Sequence, residues 1–159
     1  MKWTIHELKK LSRNNPTFEY VTDLSMYLED QIPDVVDIGP VYVRGSFQLQ
    51  NHDSEYWFHI FVRTTLFMPC AITLETVEVP LAFESELHFA RTEIDDSTFL
   101  IDGITIDLDP VIWAEILVEK PMRVTIEGAS IESVNENITL SDDELDMKNP
   151  FAALKKDLK

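Results

Sequence analysis

The sequence predicts an α+β fold: a twisted antiparallel β-sheet, or an open β-barrel, carrying a few short helices. Three observations lead there. Between residues 41 and 89, three long segments alternate apolar and polar side chains, the pattern of strands with one buried face. The links between these segments are short, as in an antiparallel meander. Helical signals are confined to brief stretches near both ends and after residue 109. A chain of 159 residues suits one domain with a real core. The expected organisation is a single α+β domain over residues 1–131, an acidic flexible segment over 132–149 and a short basic C-terminal helix over 150–159.

The elements follow in order. Thr4 and Glu7 form a capping box, with Trp3 and Leu8 in the staple positions around it. Ile5, Leu8 and Leu11 then share one helix face, and Lys9, Lys10 and Arg13 lie toward the end that favours cations. Asn14-Asn15-Pro16 stops this helix. Residues 18–21 read as a strand, and Ser25 caps a short helix over 26–31 before Pro33. In 41–50, Val41, Val43, Phe47 and Leu49 alternate with Tyr42, Arg44, Ser46, Gln48 and Gln50. After a turn at 51–54, residues 55–68 place Tyr56, Phe58, Ile60, Val62, Leu66 and Met68 on one face. Trp57, Phe61 and Phe67 on the other face make this the central strand, and the aromatics of 56–61 are best explained as core. Residues 77–89 alternate again, and Pro80 puts that strand at an edge or a bulge.

Further on, Asp102-Gly103 fits a two-residue hairpin turn between 99–101 and 104–108. Asp109 caps a helix with Pro110 at its first position; Ile112, Trp113, Ile116 and Leu117 form the apolar face, and Pro121 ends it. Met122 to Ile126 reads as one more strand. Asn149 and Pro150 open the last helix, with Phe151, Leu154 and Leu158 on one face.

Charge excludes several functions. The chain has 13 basic and 29 acidic side chains, a net charge of −16. Residues 75–146 alone carry 19 acidic and 3 basic groups, whereas residues 147–159 are net basic. Such a field repels phosphate and draws cationic partners, although a field of this kind also serves plain solubility. No run reaches the roughly 18 apolar residues of a membrane helix. The first ten residues lack the apolar stretch of a signal peptide, so the expected compartment is cytoplasmic, with no membrane and no DNA partner. One cysteine allows no internal disulfide, and no glycine-rich phosphate loop occurs.

The candidate chemical groups read mostly as bland. Asp107 with Asp109 and Glu84 with Glu86 are spaced to share a face, but 29 acids produce such pairs by chance. His6, His52, His59 and His88 form no metal-binding spacing, although His59 and His88 could meet across the sheet. Cys70 has no base or helix N-terminus beside it in sequence and reads as a buried apolar group. No catalytic residue, metal site or cofactor is expected. Direct RNA contact would need the basic ends: Lys2, Lys9, Lys10 and Arg13, with Lys148, Lys155, Lys156 and Lys159.

The run Asp107-Leu108-Asp109-Pro110-Val111, with Glu115-Ile116-Leu117 and Lys120-Pro121-Met122, resembles the signature of the YceD family, the large ribosomal RNA subunit accumulation proteins. The opening Met1-Lys2-Trp3 with Leu8, the Arg44-Gly45-Ser46-Phe47 strand, Pro69-Cys70, Val77-Glu78-Val79-Pro80-Leu81 and the closing Asn149-Pro150-Phe151-Ala152-Ala153-Leu154 fit in order. Three departures stand out. Many members show C-x-R-C-L, whereas Thr73 takes the second cysteine position in Cys70-Ala71-Ile72-Thr73-Leu74, and the late cysteine cluster of many members is missing. A zinc role therefore does not carry over. Phe151 replaces the arginine of the family's D-P-R ending.

The resemblance implies a role in 23S rRNA accumulation or processing and in large-subunit biogenesis, without established catalytic residues. The sequence then favours a non-enzymatic factor that binds a basic ribosomal protein or an rRNA-processing factor, and through it the pre-ribosomal large subunit. Glu78, Glu84 and Glu86 are the contact candidates. The alternatives are direct rRNA binding through the basic termini, or a metal-dependent ribonuclease.

Overall fold

A computed structural model describes residues 1–30, 34–52 and 54–127. The acidic segment expected over 132–149 and the helix expected over 150–159 lie outside these residues. The architecture is α+β: a strongly curled half-barrel sheet with two short α-helices.

The chain opens with β1 (Lys2–Thr4), which runs directly into α1 (Ile5–Asn14). The capping box forms as the sequence requires. The Glu7 amide donates to Thr4 Oγ1 at 3.2 Å, and the Thr4 amide donates to Glu7 Oε2 at 2.8 Å. The Thr4 amide first, and then the Thr4 hydroxyl donating to Glu7 Oε2 at 3.0 Å, hold the Glu7 carboxyl below its ordinary 4.5. Ile5 and Leu8 are buried, but Leu11 is 37% exposed, so the helix seats only its first two turns on the core.

Next come β2 (Thr17–Thr22) and a 3-10 helix over Ser25–Asp30, close to the short helix expected over 26–31 but including Ser25 itself. The main sheet is built from β3 (Asp37–Ile38), β4 (Val41–Gln50), β5 (Glu55–Pro69) and β6 (Thr76–Ala90). The strand order is β2-β4-β5-β6, all antiparallel, with β3 pairing to the far end of β5. The predicted meander is therefore present, with β5 in its centre.

Three expectations fail after residue 90. Residues on either side of Asp102-Gly103 do not form a hairpin. Instead β7 (Thr98–Leu100) runs parallel to the end of β6, and β8 (Thr105–Asp107) pairs antiparallel with β1. Gly103 does take the left-handed turn conformation, at φ +70°. The turn chemistry was right, but Trp3 and Ile106 had a better use facing the core than residues 99–108 had pairing with themselves. The stretch Met122 to Ile126 is not a strand. It is held to the turn after β5 by the Ala71 amide donating to the Val124 carbonyl at 2.8 Å and by the Ile126 amide donating to Cys70 Sγ at 3.4 Å.

The chain ends its described part with α2 (Asp109–Glu119). Asp109 is its first helical residue rather than its cap; Leu108 holds the cap position and makes no side-chain cap bond. Ile112, Trp113 and Ile116 are buried. The core is one cluster between the concave sheet face, the β1–β8 pair and the two helices. Trp3 anchors it, with ring centroids 5.0 Å from Phe18, 5.9 Å from Tyr20 and 6.3 Å from Phe58. Such contacts each add roughly 0.5–1.5 kcal/mol beyond burial.

Candidate functional site

Burial of Tyr56, Phe58, Ile60 and Val62 against the core fixes the register of β5, and so fixes what its other face presents. That convex face is the candidate site. Cross-strand pairing arranges it in rows. Tyr42 stands opposite Arg63, Arg44 opposite Phe61, Ser46 opposite His59, and Gln48 opposite Trp57. The sequence placed these aromatics in the core. Tyr56 and Phe58 are there, but Trp57 and Phe61 lie on the outward face. The signal was present in the alternation itself: Tyr42, Arg44, Phe61 and Arg63 all sit out of phase with the buried set.

The two arginines lie on the rings. The Arg44 guanidinium carbon is 4.7 Å from the Phe61 ring centre, and that of Arg63 is 5.2 Å from Tyr42. Both arginines are exposed. Shallow depressions run along this face, one of about 260 Å³ bounded by Tyr42, Arg44, Phe61 and Arg63, and the next, about 610 Å³, sharing Arg44 and Phe61 and reaching Ser46 and His59.

Glu78, Glu84 and Glu86 all point outward from β6 and are exposed. In register they stand opposite Phe67, Phe61 and His59. Glu84 Oε2 lies 3.7 Å from His59 Nε2, both side chains being well exposed. β7 pairs with His88 to Ala90, so among the described residues the rest of β6 has no strand on its outer side, one of the two placements, edge or bulge, that Pro80 suggested.

The two histidines proposed to meet do not join. His88 is 5% exposed and lies flat against Trp57, with ring centres 3.9 Å apart. Its Nε2 is 3.1 Å from Glu55 Oε2, and its Nδ1 is 3.3 Å from Thr98 Oγ1. Thr98 in turn donates to Asp95 Oδ1 at 2.7 Å. Bonds from the Asn51 side chain first, then from His88, hold the Glu55 carboxyl low. The Thr98 and Ser97 hydroxyls do the same for Asp95. This relay ties the 51–54 turn to β6 and β7. Among the described residues no group of three metal-ligating side chains occurs.

Asp107 and Asp109 do converge, at the junction of β8 and α2. Asp107 Oδ1 accepts from the Asp109 amide at 3.2 Å. Asp109 accepts from Thr22 at 3.2 Å and lies 2.5 Å from the Met1 amine. The pair therefore fastens β1, β2 and α2 together. Tyr20, 3.5 Å from Asp109, has its hydroxyl pKa raised, by burial first and by Asp109 second.

Cys70 departs from its sequence reading. It is fully buried, yet its thiol is lowered from 9.0 to about 7. The causes are donors wrapped round the sulfur: the Thr73 hydroxyl first, then the amides of Thr73 and Ile72, and the Ile126 amide at 3.4 Å. No local pattern signals this, because Thr73 reaches the sulfur through the tight turn after β5 and Ile126 comes from 56 residues away. Of the basic termini, Lys9 and Arg13 line a depression with Gln48 beside β4. Lys148, Lys155, Lys156 and Lys159 lie outside the described residues.

Fold and site together define a class: an α+β protein with a curled half-barrel sheet whose charged and aromatic groups are displayed on an open convex face. The chain belongs to the YceD family. The family model described as "Large ribosomal RNA subunit accumulation protein YceD" matches residues 58–159, from β5 onward. A Bacillus subtilis (strain 168) protein named "Uncharacterized protein YlbN" is 30% identical over 172 aligned positions, spanning 100% of this chain and 97% of that protein. No solved structure matches. The family's description concerns accumulation of large-subunit ribosomal RNA.

Proposed function

We propose that this protein supports 23S rRNA accumulation and large-subunit biogenesis as a non-enzymatic assembly factor. Its acidic edge strand docks a basic ribosomal protein or an rRNA-processing factor, in the cytoplasm, and meets the pre-ribosomal particle through that partner. The observation that carries this reading is that Glu78, Glu84 and Glu86 are exposed on one face of β6, a strand that among the described residues has a neighbour on its outer side only at His88 to Ala90. The net charge of −16 adds long-range attraction for a cation and repulsion for bare RNA. Complementary charge of this kind acts mainly on association rate and on partner choice.

The test is capture of basic large-subunit proteins from gently lysed cells, with and without RNase, by the parent protein and by Glu78→Lys, Glu84→Lys, Glu86→Lys combined. A basic protein retained by the parent after RNase and lost by the variant, at unchanged melting temperature, is the expected result. Equal capture by both would remove the acidic strand from the mechanism.

A further inference from the structure

We infer that the convex face of the sheet carries a second docking surface, along β4 and β5, for a short unpaired stretch of RNA. This inference stands on the sheet face and does not require the glutamate row to bind anything.

Charge placement sets the ligand. In an anionic protein, Arg44 and Arg63 sit together on this face, and neither makes an ion pair among the described residues. Each guanidinium carbon lies over a ring and both residues are exposed, so each cation is held at the surface and open to a ligand. That geometry suits nucleic acid: the plane accepts a stacked base, and the edges accept phosphate. The surface continues along the strands. Beyond Arg44 come Ser46 and His59, then Gln48 beside Trp57, and Gln48 also lines the depression that holds Lys9 and Arg13. From Tyr42 to Gln48 the track is roughly 20 Å long at the usual rise per strand residue. That is room for a few nucleotides.

The flanks decide between single strand and duplex. The row through Arg44 and Phe61 ends in Glu19 on β2 and in Glu84 on β6. With about 4.8 Å between strands, these two carboxylates lie only about 14 Å apart. A polyanion must therefore run along β4 and β5 between acidic walls. The second strand of a duplex would fall on a wall. An acidic peptide shares the charge of RNA but has no bases to stack on the guanidinium planes.

The test is fluorescence anisotropy of the whole protein with a fluorescein-labelled 12-mer oligouridylate and, separately, with the same strand annealed to oligoadenylate. Saturable single-strand binding on the order of 10 µM at low salt is expected, with weaker duplex binding. Arg44→Gln with Arg63→Gln should weaken it roughly tenfold and reduce the salt slope by about 1.4, the value for two lost contacts to a single strand. Phe61→Leu should weaken binding while leaving the slope in place. Lys2→Gln with Lys10→Gln should change neither. Amide shift mapping on the parent protein should place the perturbations on β4 and β5, which keeps the test open if the double variant fails to fold. Parent-like affinity in a folded double variant, equal duplex binding, perturbations confined to other elements, or displacement by polyglutamate as effective as by unlabelled RNA would each overturn the proposal.

Discussion

Cys70 shows how one side chain can be buried and still acidic. Its thiol is lowered because hydrogen-bond donors supply what burial removes, and the main one is the hydroxyl of Thr73. Thr73 completes the turn after β5 by hydrogen bonding to this sulfur. The consequence is a pH dependence of known sign. A thiol near 7 when folded and 9.0 when unfolded contributes stability that is fully present above 9.0 and lost as the pH falls through about 7. Urea midpoints should therefore rise between pH 7 and 9 in the parent protein, relative to Cys70→Ala, and the difference should shrink in Thr73→Val. A flat difference across that range would mean that the sulfur stays protonated.

Among the elements, β4 and β5 depend on one glycine. A Cβ on Gly45 would lie 2.4 Å from the His59 carbonyl oxygen, 3.0 Å from the Phe18 ring and 3.1 Å from the Ile60 Cα. Phe18, in register with Gly45 on β2, covers the space that the missing side chain leaves. Gly45→Ala should cost about 1–3 kcal/mol in chemical denaturation, because backbone must move to admit it. A loss below about 0.5 kcal/mol would show that the strands separate easily. The same scale explains what could be read from the sequence. Periodicity of two located β4, β5 and β6 almost to the residue, and Thr4 with Glu7 located the start of α1, because both signals are local. The partners of β7 and β8 are distant: β8 needs Trp3 and β7 needs the end of β6, and no local pattern encodes either. Asp109 was read as a cap for the same reason, since its bonds to Thr22 and the Met1 amine span most of the chain. For the candidate site, the outward phase of Glu78, Glu84 and Glu86 was legible; the stacking of Arg44 and Arg63 on rings from another strand was not.

Over the whole molecule, the charge distribution sorts partners. The described part presents an acidic edge on β6 next to a narrow arginine–aromatic track on β4 and β5. A net charge of −16 opposes long polyanions, while a few nucleotides in the track escape much of that repulsion by screening beyond about 10 Å. In the proposed arrangement, two modest contacts, one to a cationic protein and one to its neighbouring RNA, would reinforce each other once both sit on one particle. Alone, neither holds a ribosomal transcript. Binding of naked 23S rRNA fragments to the purified protein, free of other proteins and at physiological salt, is therefore the decisive measurement. A dissociation constant weaker than about 1 µM is expected. Nanomolar binding would contradict a route to the ribosome through a cationic partner.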